Sequence, residues 1–96
     1  MLDEIRATRD EIYAIAKRHK AAKLWVFGSC ARKEERPDSD VDILVKFNDG
    51  ASLLDQGAIQ AGLSSVLGQD VDVVDSDVLT REPYFAYAVR KDLVPL

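Results

Sequence analysis

Cysteine is almost missing from this 96-residue chain: Cys30 stands alone, so no internal disulfide can form and no metal–thiolate cluster can be built. That scarcity fits a reducing, cytoplasmic setting. Long apolar runs are missing as well. Asp3 and Glu4 charge the N-terminus, and no later stretch approaches the roughly 20 apolar residues of a membrane span, so neither a signal peptide nor a transmembrane helix is expected. Repeats, low-complexity tracts and domain linkers are also lacking, which leaves one domain over residues 1–96. Nor is there an excess of positive charge. The formal net charge of −4 argues against a domain that grips nucleic-acid backbone nonspecifically, and no direct nucleic-acid or membrane partner is expected.

What is present suits a small globular core. Apolar residues make up 47% of the chain, far from the composition of a disordered segment. A domain this short buries a modest share of its surface, so a large ligand cleft would compete with stability, and part of an active site can come from another chain. Charge is unevenly distributed. Acidic residues gather at Asp38, Asp40 and Asp42 and again at Asp70, Asp72, Asp75 and Asp77. Basic residues gather at Lys17, Arg18, Lys20 and Lys23, which reads as a solvated face, and at Arg32, Lys33 and Arg36 beside the first acidic group.

Helical and strand patterns alternate, which predicts an α/β (α+β) fold of order α-β-α-β-α-β-α, a short mixed sheet flanked by helices. Residues 3–20 place Ile5, Ile12, Ile15 and Ala16 on one face, an amphipathic helix with a basic end. Leu24–Phe27 reads as a buried strand ended by Gly28, followed by a short helical stretch over residues 30–34 that Pro37 and Asp38 stop. Val41–Phe47 reads as a central strand, apolar on both faces beyond Asp42. After the Asn48-Asp49-Gly50 turn, residues 52–67 read as a helix stopped by Gly68, and residues 70–74 as a third strand. Ser76 reads as the N-cap of a short helix from Asp77, and Tyr84–Lys91 as a last helix closed by Pro95.

Side chains two apart on a strand share a face, so Asp40 and Asp42 point the same way. Carboxylates held side by side repel unless one is protonated or a cation sits between them. Magnesium suits such hard oxygen ligands and completes its octahedron with substrate phosphates. Asp72 would be the third carboxylate, with Asp70 its nearest competitor. A turn-forming role competes for Ser39-Asp40, and an exposed edge strand for Asp72. Asp42 fits neither, because burying a carboxylate inside an apolar strand is costly unless it is paired. Gly28-Ser29 closes a strand where backbone N–H groups can receive an anion, although a plain turn would look alike. Arg32 could add a fork of phosphate donors or be a surface arginine.

The spacing joins these parts: a Gly-Ser pair, ten intervening residues, then Asp-x-Asp opening an apolar strand. On Val26–Arg32, Ser39–Val45 and Asp72 within Val71–Val74, the chain resembles the nucleotidyltransferase superfamily related to DNA polymerase β, in particular its minimal nucleotidyltransferase (MNT) members. The resemblance implies catalytic and metal-binding roles for Asp40, Asp42 and Asp72, with Asp40 and Asp42 on both of two Mg²⁺ ions and Asp72 on one. It further implies that Gly28, Ser29 and, as an auxiliary contact, Arg32 bind the phosphates of ATP. Lys33 departs from the pattern, since relatives commonly have glycine there.

MNT domains of this size are similar to antitoxins paired with α-helical HEPN ribonuclease toxins. That resemblance implies a hetero-oligomer with a cognate HEPN toxin and transfer of AMP from ATP to a tyrosine hydroxyl of the toxin. A non-catalytic module that masks the toxin by contact is the alternative, and Tyr84–Val89 is aromatic enough to be either interface or core. A small-molecule nucleotidyltransferase of the aminoglycoside type is a third reading, disfavoured because the chain has little left to build an acceptor pocket.

Overall fold

The computed structural model describes residues 2–33 and 40–96, so the expectations attached to residues 34–39, Pro37, Asp38 and Ser39 among them, lie outside the described residues. The elements are α1 (Leu2–Ala7), α2 (Arg9–Arg18), β1 (Ala21–Phe27), α3 (Gly28–Ala31), β2 (Val41–Phe47), α4 (Leu53–Leu67), β3 (Val71–Asp75), α5 (Val78–Arg81), α6 (Pro83–Asp92) and β4 (Val94–Pro95). The mixed α/β architecture and the alternation are as expected, with differences at particular joints.

The first helix is two helices, not one over residues 3–20. Thr8 turns its hydroxyl back to the carbonyls of Glu4 (3.1 Å) and Ile5 (3.2 Å), a local bond that competes with the regular ladder and bends the chain. Further on, α3 starts at Gly28 rather than at Cys30. Residue 75, not 70, belongs to the third strand, which covers Val71–Asp75. Ser76 does not cap α5. Asp77 holds the N-cap position, and its N–H donates to the Asp75 carboxylate at 2.9 Å. Pro95 does more than end a helix: it lies in β4, opposite Trp25, on an edge strand where its missing N–H is harmless.

α4 ends at Gly68 as expected, while Ser52 stands before the helix as its N-cap instead of inside it. Ser52 and Asp55 form a reciprocal capping box at its start, and Gly68 ends it in the left-handed conformation, φ +67°.

The sheet order is β3-β2-β1-β4, with β1 antiparallel to β2 and β4 and with β2 parallel to β3. A central β2 must be covered on both faces, and its Val41, Ile43, Leu44 and Val45 are fully buried, with Phe47 at its end partly so. On one face Leu24, Val26, Val41, Ile43 and Val45 pack with Ile5, Ile12, Ala16, Ile59 and Leu63 of the helices. On the other Phe27, Leu44 and Val89 of α6 form a smaller cluster. Tyr13 ties the layers, its hydroxyl donating to the Leu96 carbonyl (3.0 Å) and accepting from the Leu24 N–H (3.2 Å).

β3 is an edge strand, and α4 closes it. Gln56, Gln60 and Ser64, spaced four apart on one helix face, meet its outward backbone: Gln56 donates to the Val73 carbonyl (2.9 Å), Gln60 accepts from the Val73 N–H (3.1 Å) and Ser64 accepts from the Val71 N–H (3.0 Å). The edge is thereby occupied, which protects it from pairing with another chain.

Candidate active site

Backbone register brings the expected carboxylates together. Phe27 at the end of β1 pairs with Asp42 at the start of β2, and Asp42 lies beside Asp72 in the parallel β2–β3 register. Asp40 precedes β2 with the same side-chain parity as Asp42. All three therefore occupy the sheet face that α6 covers, at the end where the sheet opens to solvent: Asp42 is half-buried, while Asp40 and Asp72 are exposed. Asp70 lies one step outside the strand; its carbonyl accepts the Val41 N–H at 2.9 Å, and Asp72 rather than Asp70 stands opposite Asp42. The edge position foreseen as the alternative for Asp72 is real, and it does not separate the residue from its neighbours.

Electrostatics show how tightly they are grouped. Burial, then the charges of Asp72 and Asp40, raise the Asp42 carboxyl above its ordinary value. Asp40 is raised as well, by partial loss of hydration, by the charges of Asp72 and Asp70, and by a hydrogen bond with Asp72. Asp72 thus makes both Asp40 and Asp42 harder to ionise. Among the described residues no three carboxylate, thiol or imidazole side chains converge to full metal-coordination spacing.

Gly28 explains why the turn must be glycine. Its φ of +71° is left-handed, and a Cβ built there would collide with an Asp42 carboxylate oxygen and lie 3.4 Å from its Cγ. The phosphate-loop candidate is thus packed directly on the metal-ligand candidate. Ser29 follows in the first turn of α3, half-buried. Cys30 is buried in the main core and free of any disulfide.

Lys33 adopts φ +58°, the left-handed conformation that glycine would take without strain. Its ammonium lies 3.7 Å from Asp3, an exposed pair. Arg32 is turned to α6, where its guanidinium bonds to Asp92, whose side chain is only 11% exposed. Sequence reasoning missed this link between the loop and α6, and nothing in local spacing could have shown it. It also missed the Phe27–Phe85 contact, edge-to-face with ring centroids 6.2 Å apart. The Gln56/Gln60/Ser64 stripe could have been found, as a polar line four residues apart on an otherwise apolar helix.

An all-oxygen donor set, mutual repulsion that a divalent cation would relieve, and a glycine cleared against one carboxylate together fit magnesium. The chemistry open to such a group is in-line displacement at phosphorus.

Comparison with known proteins agrees with this geometry. Residues 10–94 match the family described as polymerase beta, nucleotidyltransferase. The chain is 40% identical over 75 residues, 70% of its length and 76% of the relative's, to the protein adenylyltransferase MntA of Thermococcus cleftensis. A solved structure provisionally described as a minimal nucleotidyltransferase is similar with a TM-score of 0.84 at 39% identity, over 99% of this chain and 95% of the other. A chain from the solved complex of a tri-AMPylated Shewanella oneidensis HEPN toxin with MNT antitoxin shares the fold at 21% identity, with a TM-score of 0.66 over 99% of this chain and 71% of the other.

Proposed function

This chain belongs to the polymerase beta nucleotidyltransferase family and is a nucleotidyltransferase, and we propose that it is a Mg²⁺-dependent protein adenylyltransferase that moves AMP from ATP to a tyrosine hydroxyl of a HEPN ribonuclease toxin. It would act as the antitoxin of a cytoplasmic pair, in a hetero-oligomer with that toxin. The naming of the 40%-identical relative as a protein adenylyltransferase supports the acceptor class, and the HEPN complex of the same fold supports the partner.

The observation that carries the reading is the convergence of Asp40, Asp42 and Asp72 on one sheet face with Gly28 packed on Asp42. In this reading Asp40 and Asp42 would hold both metal ions, and Asp72 would hold one. Bound magnesium would lower the pKa of the attacking hydroxyl and offset charge on the departing pyrophosphate. Gly28 lets the chain backbone approach the outer phosphates, and the Ser29 hydroxyl donates to them. Arg32, held beside the loop by Asp92, is the auxiliary phosphate contact. The acceptor oxygen forms its bond to the α-phosphorus, the bond to the bridging oxygen breaks, and pyrophosphate leaves with the β- and γ-phosphoryl groups; the tyrosine proton passes to solvent or to Asp72. The product is a toxin carrying added bulk and negative charge.

The test is to incubate the chain with α-labelled ATP, magnesium and a HEPN protein encoded beside it, then follow label on that protein. Transfer is expected with the natural chain and is lost in Asp40→Asn and in Asp42→Asn. Retained labelling in either variant refutes the site assignment. Absence of transfer, together with tight association that Asp42→Asn leaves intact, would favour a masking module instead. The left-handed, glycine-like conformation of Lys33 counts against that module.

A further inference from the structure

The outer face of α6 is unlike the rest of the molecule. Its inner side packs Ala86 and Val89 onto the sheet, while Tyr84 is 94% exposed and Tyr87 76% exposed. Tyr84, Tyr87 and Lys91 fall at i, i+3 and i+7 and so form one line on the helix. Beside that line runs a groove of about 600 Å³ between α5 and α6, lined by Leu79, Pro83, Ala86, Tyr87, Arg90 and Lys91. Arg81, Arg90 and Lys91 are all exposed around it. Within residues 78–92 the acids are Glu82 and Asp92, and Asp92 is engaged by Arg32. A chain of net charge −4 therefore carries a local face that is aromatic and basic. Two large aromatics beside arginine are the residue types that anchor protein interfaces.

We propose that this α6 face is a docking surface for an acidic segment of a partner protein, one that seats an apolar side chain in the groove and sets carboxylates against Arg90 and Lys91. Charge complementarity selects that occupant. A second copy related by a twofold axis would set Arg90 and Lys91 against copies of themselves. A nucleic-acid strand would meet three cations and then the Asp40, Asp42 and Asp72 face, which repels phosphate. The face is also continuous with the candidate active site: Phe85 meets Phe27, the residue before Gly28, edge-to-face, and Asp92 holds Arg32 at the end of the phosphate loop. A protein docked on α6 thus lies next to the carboxylates. That consequence for transfer rests on the adenylyltransferase reading, whereas the binding itself does not.

The probes are fluorescent 15-residue helical peptides of leucine with glutamate, the same pattern with lysine for glutamate, a scrambled acidic peptide, and a uridine 15-mer. Each is titrated against the full chain by anisotropy, with amide chemical shifts followed on isotope-labelled protein. The acidic amphipathic peptide is expected to bind at least tenfold more tightly than the others and to shift amides of Tyr84, Tyr87, Arg90 and Lys91. Tyr87→Ala and the pair Arg90→Glu with Lys91→Glu each weaken it at least tenfold at unchanged Tm. Asp42→Asn leaves it intact, so loss of catalysis and loss of docking are read separately. Preference for RNA or for the lysine peptide, equal binding of the scrambled peptide, shifts mapping elsewhere, self-association through the same amides, or no binding of any probe would each overturn the proposal.

Discussion

Replacing Gly28 with alanine separates backbone strain from damage to the site. At φ +71° an L-residue is disfavoured by roughly 1–2 kcal/mol, a Tm loss of about 4–8 °C per kcal/mol for a domain of this size. The added Cβ also meets the Asp42 carboxylate. Asp42 cannot retreat as a whole, because its backbone is fixed between Phe27 of β1 and Asp72 of β3. Only rotation of its side chain is left, away from the position shared with Asp40 and Asp72. A misplacement of about 1 Å at a reacting centre can cost on the order of 100-fold in rate. Unfolding would not account for such a loss: a domain with about 5 kcal/mol of stability remains almost wholly folded after losing 2. Gly68→Ala is the control, with φ +67° and no heavy atom within 4 Å of its Cβ. Both variants are measured by thermal melting and by the initial rate of the proposed AMP transfer at 25 °C. Similar Tm losses are expected, with a rate loss near 100-fold confined to Gly28→Ala. A rate within threefold of the natural chain, or equal rate losses in the two variants, would refute the reasoning.

Tyr13→Phe orphans the Leu24 N–H and the Leu96 carbonyl and should cost about 1–3 kcal/mol by denaturant titration, with transfer by the folded fraction unchanged. Lys33→Gly should raise stability by about 1 kcal/mol, because it relieves a left-handed lysine whose exposed ion pair with Asp3 contributes little. Gln60→Ala leaves the Val73 N–H of the edge strand bare; lower Tm and concentration-dependent association by light scattering are expected. Two carboxylates should give opposite pH slopes in metal-free melting curves. Asp42 is raised on folding, so the folded chain holds the proton longer and stability falls as pH rises from the ordinary carboxylate value through the raised one; Asp42→Asn removes that fall, and magnesium reverses it above the window but not below. Asp55 is lowered, chiefly by the Ser52 N–H, so its contribution is present above the ordinary carboxylate value and is lost as pH falls through the depressed one; Asp55→Asn removes that loss.

Local chemistry made much of this protein legible from its amino acids. The stop at Gly68, the buried run of β2 and the helix that begins around Pro83 depend on residues within one turn or one strand, so they could be read without a partner in view. Asp40 and Asp42 belong to the same class, since strand parity alone aligns them. Asp72 does not. The family resemblance named it over Asp70, but its place beside Asp42 follows from the parallel β2–β3 register. The clearance of Gly28 against Asp42, the grip of Asp92 on Arg32 and the glutamine closure of the β3 edge likewise join residues far apart in the chain. A carboxylate's sequence neighbours tell which way it points, but the groups that meet it across a sheet or from another helix are fixed only when the layers pack, because register and helix docking are set by burial of the whole core.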